Sequence, residues 1–217
     1  MIIRVRNQCR RVRLCFVRPV FRYFLCSALG LAIGVSIAVL QVRGGISGGT
    51  ITNGPWTTAR TYGTAGASAL VRAQVALGGL LALPAKEAMY FNASVDSAGA
   101  PLEGRCAYKV EGFVFKNGGA IDARWWSITL YNQAGYLVVN PQRRHSIGSG
   151  SIGPVTLAPT SKWSFTVAPK APSDAKWIST GGIARFDLTL RVYHPGPAVL
   201  ATPDKVTLPT ITKMGCA

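Results

Sequence analysis

Phe186-Asp187-Leu188-Thr189-Leu190-Arg191-Val192-Tyr193 decides the fold, because apolar and polar side chains take strictly alternate places in it. A period of two puts Phe186, Leu188, Leu190 and Val192 on one face of an extended strand and Asp187, Thr189, Arg191 and Tyr193 on the other. Such a strand buries one face and leaves the other to polar contacts, the signature of an antiparallel sheet.

Working outward, the same period returns four times. Met89, Phe91, Ala93 and Val95 alternate with Tyr90, Asn92, Ser94 and Asp96. Cys106, Tyr108 and Val110 alternate with Ala107, Lys109 and Glu111. Trp126, Ile128 and Leu130 alternate with Trp125, Ser127, Thr129 and Tyr131, and the turn residues 132–135 predict a hairpin into a strand Tyr136-Leu137-Val138-Val139. Trp163, Phe165 and Val167 predict one more strand. Residues 65–83 suit a helix ended by Pro84, with Gly78 and Gly79 lowering its propensity and pointing to close approach against a sheet. The proline-spaced tail (Pro195, Pro197, Pro203, Pro209) is expected to run extended over the surface. The expectation is a mainly β chain with antiparallel sheets packed face to face and one packed helix.

Ahead of all this stands a different grammar. Residues 23–42, YFLCSALGLAIGVSIAVLQV, are an apolar run long enough, as a helix of about 30 Å, to cross a bilayer. Seven arginines (Arg4, Arg6, Arg10, Arg11, Arg13, Arg18 and Arg22) and no acidic residue precede it. Basic flanks stay in the cytoplasm, so the segment reads as a single-pass transmembrane signal anchor with the following domain outside, in the periplasm. No A-x-A cleavage pattern follows the run, which favours an uncleaved anchor over a removed signal peptide. The expected organisation is a basic cytoplasmic flank (1–22), the anchor (23–42), a Gly-rich tether (43–52) and a β-sandwich domain (53–217).

The chain carries a formal charge of +16. Eight of its 24 basic residues lie in the first 43 positions and all eight acidic residues lie after them, so the outward part keeps +8. Its cations are scattered singly apart from Arg143-Arg144, with no basic stripe interleaved with aromatics, which argues against nucleic acid as a partner. Cys9, Cys15 and Cys26 belong to the flank or the anchor, leaving Cys106 and Cys216 outside. That pair is either a disulfide closing a loop worth about 4–5 kcal/mol in the chain-entropy model, or two unrelated thiols.

Several segments occur in a recognisable order: GPWTTARTYG from Gly54, EAMYFNASVDSAGAPLEGRCAYKVEG, ARWWSITLYNQAGYLV, NPQRRHSIGS and GGIARFDLTLRVYHPGPA. Together they resemble the bacterial family catalogued as domain of unknown function 1214. The resemblance implies a jelly-roll-like β-sandwich, preceded here by the N-terminal transmembrane helix. It also implies a stand-alone form whose usual companion, a domain of the 1254 family, sits on a separately encoded partner protein. The family brings no catalytic residues to carry over.

The residues themselves point to no catalytic set. His145 and His194 are far apart, and no C-x-x-C occurs, so neither a metal site nor a cofactor is expected. No G-x-S-x-G marks a nucleophile. By alternation Glu111 shares a face with Lys109, and Asp187 one with Arg185 and Arg191, which reads most simply as ion pairs on a solvated sheet. The candidate ligand-binding set is polar and aromatic: Arg124, Trp125, Arg144, Ser146, Arg191 and Tyr193, with Trp126, Tyr131 and Asn140 beside them. Arginines with aromatics suit a sugar, carboxylate or phosphate; the competing reading has the tryptophans filling the core and the arginines at strand ends. These features favour a membrane-anchored, non-catalytic envelope module binding a partner protein or an envelope polymer, with a hydrolase or lyase acting on envelope carbohydrate as the alternative.

Overall fold

The computed structural model describes residues 3–43, 49–59, 61–64, 66–77, 83–113, 123–140, 142–151, 162–172 and 176–216, with side chains outside the description at 3–19, 113 and 124. Gly78 and Gly79 thus lie outside the described residues. Two compact units divide the chain, Met1–Gly45 and Ile46–Ala217.

The first unit is a helix, α1 (Ile3–Arg43). Its part from Val20 to Arg43 has a mean hydropathy of 2.2 and buries nothing within the protein, so by length and composition it is a candidate membrane anchor.

The second unit is mostly β. Its elements in order are β1 (Thr50–Asn53), β2 (Trp56–Ala59), α2 (Ala69–Leu77), β3 (Ala88–Ala93), β4 (Cys106–Phe113), β5 (Ala123–Asn132), β6 (Ser146–Gly148), β7 (Lys162–Ala168), β8 (Trp177–Ser179), β9 (Phe186–Pro195), α3 (Pro197–Ala201) and β10 (Thr210–Cys216). A six-stranded sheet runs β1-β2-β3-β9-β5-β6 and a four-stranded sheet runs β10-β4-β7-β8. Phe91, Trp126, Ile128, Leu188, Leu190 and Val192 of the first meet Tyr108, Val110, Trp163, Phe165, Val167 and Ile211 of the second in one core. Tyr108 packs edge-on against Phe186, and Trp126 stacks on Trp163 at 4.3 Å. The opening run of the sequence is β9, the central strand of the larger sheet, paired on both sides.

Helix α2 lies on the opposite face of that sheet. Ser68 caps it, its Oγ accepting from the Val71 N–H, and this places the start at Ala69 rather than at residue 65. Val71 and Val75 pack with Ala88, Tyr90 and Tyr62 in a second, smaller cluster.

Four expectations change. Residues 136–139 are not a strand: the Asn132 side chain accepts from Ala134 and Tyr136, Gly135 takes φ 80°, and a single bridge joins Leu137 to Tyr131 before the chain leaves the sheet. The tail is not a surface coil. Pro197 opens α3, which buries Val199 completely, and β10 then pairs with β4 and buries Ile211. Strand pairing is not wholly antiparallel, because β8 pairs parallel to β7. Finally, β1 begins at Thr50, inside the stretch expected to be tether. Cys106 and Cys216 face each other in the β4–β10 register with their sulfurs bonded at 2.05 Å.

Candidate functional site: the outer face of the larger sheet

Alternation gives the six-stranded sheet a second face, turned away from the core. Register sets Asn92, Thr189, Thr129 and Ser146 side by side on it, with Tyr90, Arg191 and Ser127 in the next row and Ala88, Tyr193 and Trp125 in the one after. Asp187 stands opposite Tyr131 at the other end. Thr129, Thr189 and Ser127 are buried, so this is a covered polar surface rather than a solvated one.

Arg191 organises it. One guanidinium nitrogen donates to Thr129 Oγ1 (3.1 Å) and the other to the Tyr131 hydroxyl (2.7 Å). The same group lies 5.4 Å from the Tyr131 ring centre and 5.9 Å from that of Tyr90, within cation–π range. Among the described residues no carboxylate pairs with it. A guanidinium has five N–H donors, and the described contacts engage two of its nitrogens. Thr189 donates to Asn92 Oδ1 (2.8 Å), completing a short polar ladder.

Asp187 is a second charge on this face with no ion-pair partner among the described residues. The expected ion pairs with Arg185 and Arg191 do not form among the described residues, although the expected Glu111–Lys109 pair does, at 2.6 Å, and Lys162 adds an unexpected one at 3.2 Å. Glu111 is therefore held below the usual carboxylate range by Lys109 and Lys162. Burial instead raises Asp187, because a half-buried carboxylate without a donor loses hydration and gains nothing in return. Beside it opens a cavity of about 250 Å³ lined by Asn92, Ser94, Tyr131, Thr189 and, from the end of α2, Leu77.

The sequence-predicted residues separate accordingly. Arg191, Tyr193, Trp125 and Ser146 share this face, with the rings of Trp125 and Tyr193 5.3 Å apart and Trp125 45% exposed. Tyr131 joins them through its hydroxyl. Trp126 points the other way, into the core. Asn140 is a loop organiser: its carboxamide accepts from the Arg144 N–H and donates to the Val138 and Arg144 carbonyls. Arg144 is exposed on that loop, away from the Arg191 contacts. The Arg124 side chain lies outside the described residues. Asn92, Thr129, Thr189 and unpaired Asp187 were missed as site residues; reading each strand's second parity set as one face is the signal that finds them.

Glu103, Cys106 and Cys216 are the one described group with metal-ligand spacing, and its two sulfurs are bonded to each other. His145 lies beside Asn140 and His194 beside Glu87, in separate places.

The family described as protein of unknown function (DUF1214) matches residues 87–197, a span that contains every residue of the Arg191–Asp187 face named above. No curated protein matches the chain. Among solved structures, the VPA0106 protein from Vibrio parahaemolyticus is similar at a TM-score of 0.51 and 20% identity, over 69% of this chain and 36% of that one. An uncharacterised protein from Burkholderia cenocepacia is similar at 0.41 and 15%, over 59% and 30%. The first likeness is one of fold, and the chain spans about a third of the length of these structures.

Proposed function

The chain belongs to the DUF1214 family, and on that premise we propose that it is a membrane-anchored, non-catalytic binding module of the bacterial envelope. Residues 23–42 hold it in the inner membrane, with the seven leading arginines in the cytoplasm and the β domain in the periplasm. The outer face of the larger sheet receives an anionic group of its partner, through the guanidinium fork of Arg191.

The observation that carries this reading is Arg191 itself: half-buried, fixed by Tyr131 and Thr129, and facing no carboxylate among the described residues. A cation removed from bulk water costs free energy unless something compensates it. An incoming carboxylate or phosphate would compensate it in bidentate geometry, and the aromatic pair Trp125–Tyr193 offers stacking surface beside it. The partner is either a separately encoded protein of the 1254 family or an envelope polymer.

Co-purification of the full chain from membranes in mild detergent tests the reading. Wild type returns a stable partner, and Arg191→Gln loses it while still melting cooperatively within about 4 °C of wild type, as expected of a half-exposed polar exchange. Recovery of the chain alone, or retention of the partner by Arg191→Gln, overturns it. One observation favours the alternative, a hydrolase or lyase of envelope carbohydrate: a raised carboxyl beside a cavity is what a general acid requires. Release of sugar fragments by wild type and not by Asp187→Asn would put that reading first.

A further inference from the structure

At one end of the β domain, where the chain enters β4, leaves β7 and enters β9, a groove of about 450 Å³ takes no part in the site above. Its floor is apolar: Pro169, Ile183 and Ala184 line it. The floor is also fixed in place. A Cβ on Gly104 would come within 1.8 Å of the Ile183 carbonyl oxygen, so only glycine lets the two backbones cross this closely. The Gly104 N–H donates to the Ala184 carbonyl at 3.0 Å, and the Thr180 hydroxyl donates to the Gly104 carbonyl at 2.6 Å.

The rim is cationic. Arg105, Lys170 and Arg185 stand exposed around the floor, and Lys213 of β10 acts on the same spot. Among the described residues Glu103 is the one carboxylate lining the groove, and Arg105 holds it at 2.9 Å. Three of the four cations thus lack a carboxylate among the described residues. Arg105, and then Lys213 and Arg185, keep Glu103 ionised well below the usual carboxylate range.

We infer that this groove is a second binding site, for an anionic membrane lipid: the head group on the Arg105–Lys170–Arg185 rim and the first carbons of the tail on the Pro169–Ile183–Ala184 floor. A bare anion would use the rim and gain nothing from the floor; a neutral amphiphile would do the reverse. Only a molecule that joins a negative charge to an apolar chain satisfies both. Among the described residues no aromatic side chain lines the groove, so they offer bases nothing to stack on. A chain that carries a bilayer-length apolar helix meets such lipids.

The full chain in phosphatidylcholine nanodiscs, titrated with octyl phosphate, inorganic phosphate and octyl glucoside against empty nanodiscs, tests the inference. Octyl phosphate is expected to bind at least about tenfold more tightly than the other two, from the combined head and tail contacts. Arg185→Gln weakens it about fivefold, the worth of one basic residue against an anionic lipid. Glu103→Gln has the opposite sign and strengthens it, because Arg105 is released from its own carboxylate. The Arg185→Gln loss is expected equally in an Arg191→Gln background, which separates this site from the sheet face. Octyl phosphate binding no more tightly than either control, indifference to Arg185→Gln, or weakened or unchanged binding in Glu103→Gln each overturns the inference.

Discussion

The two faces of strand β9 are built from one run of sequence and have opposite physics. Leu188, Leu190 and Val192 are fully buried against the smaller sheet, while Asp187, Thr189 and Arg191 turn outward under α2 and its surroundings. Both faces are largely removed from water. On the inner face removal is favourable, since each buried aliphatic side chain contributes about 1.5–3 kcal/mol. On the outer face it is costly unless every polar group is compensated, and Arg191 and Asp187 there meet no opposite charge among the described residues. A sheet needs one apolar face to fold, so the inner face answers to stability. An outer face that is covered and still polar gains little for folding, which is why the proposed binding role is placed there.

The adjacent pair Trp125 and Trp126 gives the largest test of that contrast. Trp126→Ala removes the ring stacked on Trp163 and leaves a cavity in the core, costing about 3–5 kcal/mol. Trp125→Ala strips a half-exposed ring that touches Tyr193 and is expected to cost less than about 1 kcal/mol. Thermal denaturation of the two variants reads the difference as roughly 10 °C against 3 °C. Equal losses would mean the outer face is a second core, and the distinction fails.

That contrast was partly legible in the sequence. Alternation placed β3, β4, β5, β7 and β9 because period two is local and needs no partner to be seen. It gave the faces as well, yet the site was assembled from motif neighbours, and Asn140 and Arg144 proved to be a loop and its exposed edge. The strand expected over 136–139 had the right composition, but after the Asn132 turn only Val138 reaches the core, leaving Tyr136 71% and Val139 90% exposed. The tail failed for the opposite reason. Its prolines hide α3 and β10, whose formation depends on the distant β4 edge. Which sheet each strand joins, and the lack of a partner for Asp187 among the described residues, are non-local facts that no window of sequence contains.

Tyr131→Phe sharpens the comparison at a smaller scale. The hydroxyl's described role is to accept from Arg191, so the variant leaves the cation with one donor contact fewer. A hydrogen bond to a charged group contributes about 1.5–3 kcal/mol when buried, and half-exposure reduces that to about 1 kcal/mol. Because the two residues act as one unit, the double variant with Arg191→Gln is expected to lose less stability than the two single losses together. Strict additivity in a denaturant series would show that Arg191 is not held by Tyr131, and the fork would have no fixed aim.

Asp187→Asn has the smallest effect and the most telling sign. Burial raises the folded-state pKa of Asp187 above the ordinary aspartate value of about 3.9. Between that value and the raised one the native state holds the proton more firmly than the unfolded state, so stability falls as pH climbs through the window. At neutral pH the whole cost is present. Asparagine keeps the shape and carries no charge, so the variant is expected to melt about 1–3 °C higher than wild type at pH 7. The gap narrows as pH falls toward the ordinary aspartate value, because the folded-state carboxyl takes up its proton before the unfolded one does. Thermal midpoints across pH 4–7 read both sign and window. A core substitution would lower the midpoint at every pH, and a paired surface carboxylate such as Glu111 would lower it chiefly at neutral pH. A rise on removing a charge is expected only where the fold keeps that charge at its own expense. A fall at pH 7 would put a cation on Asp187, and the outer face would then be as well satisfied as the inner one.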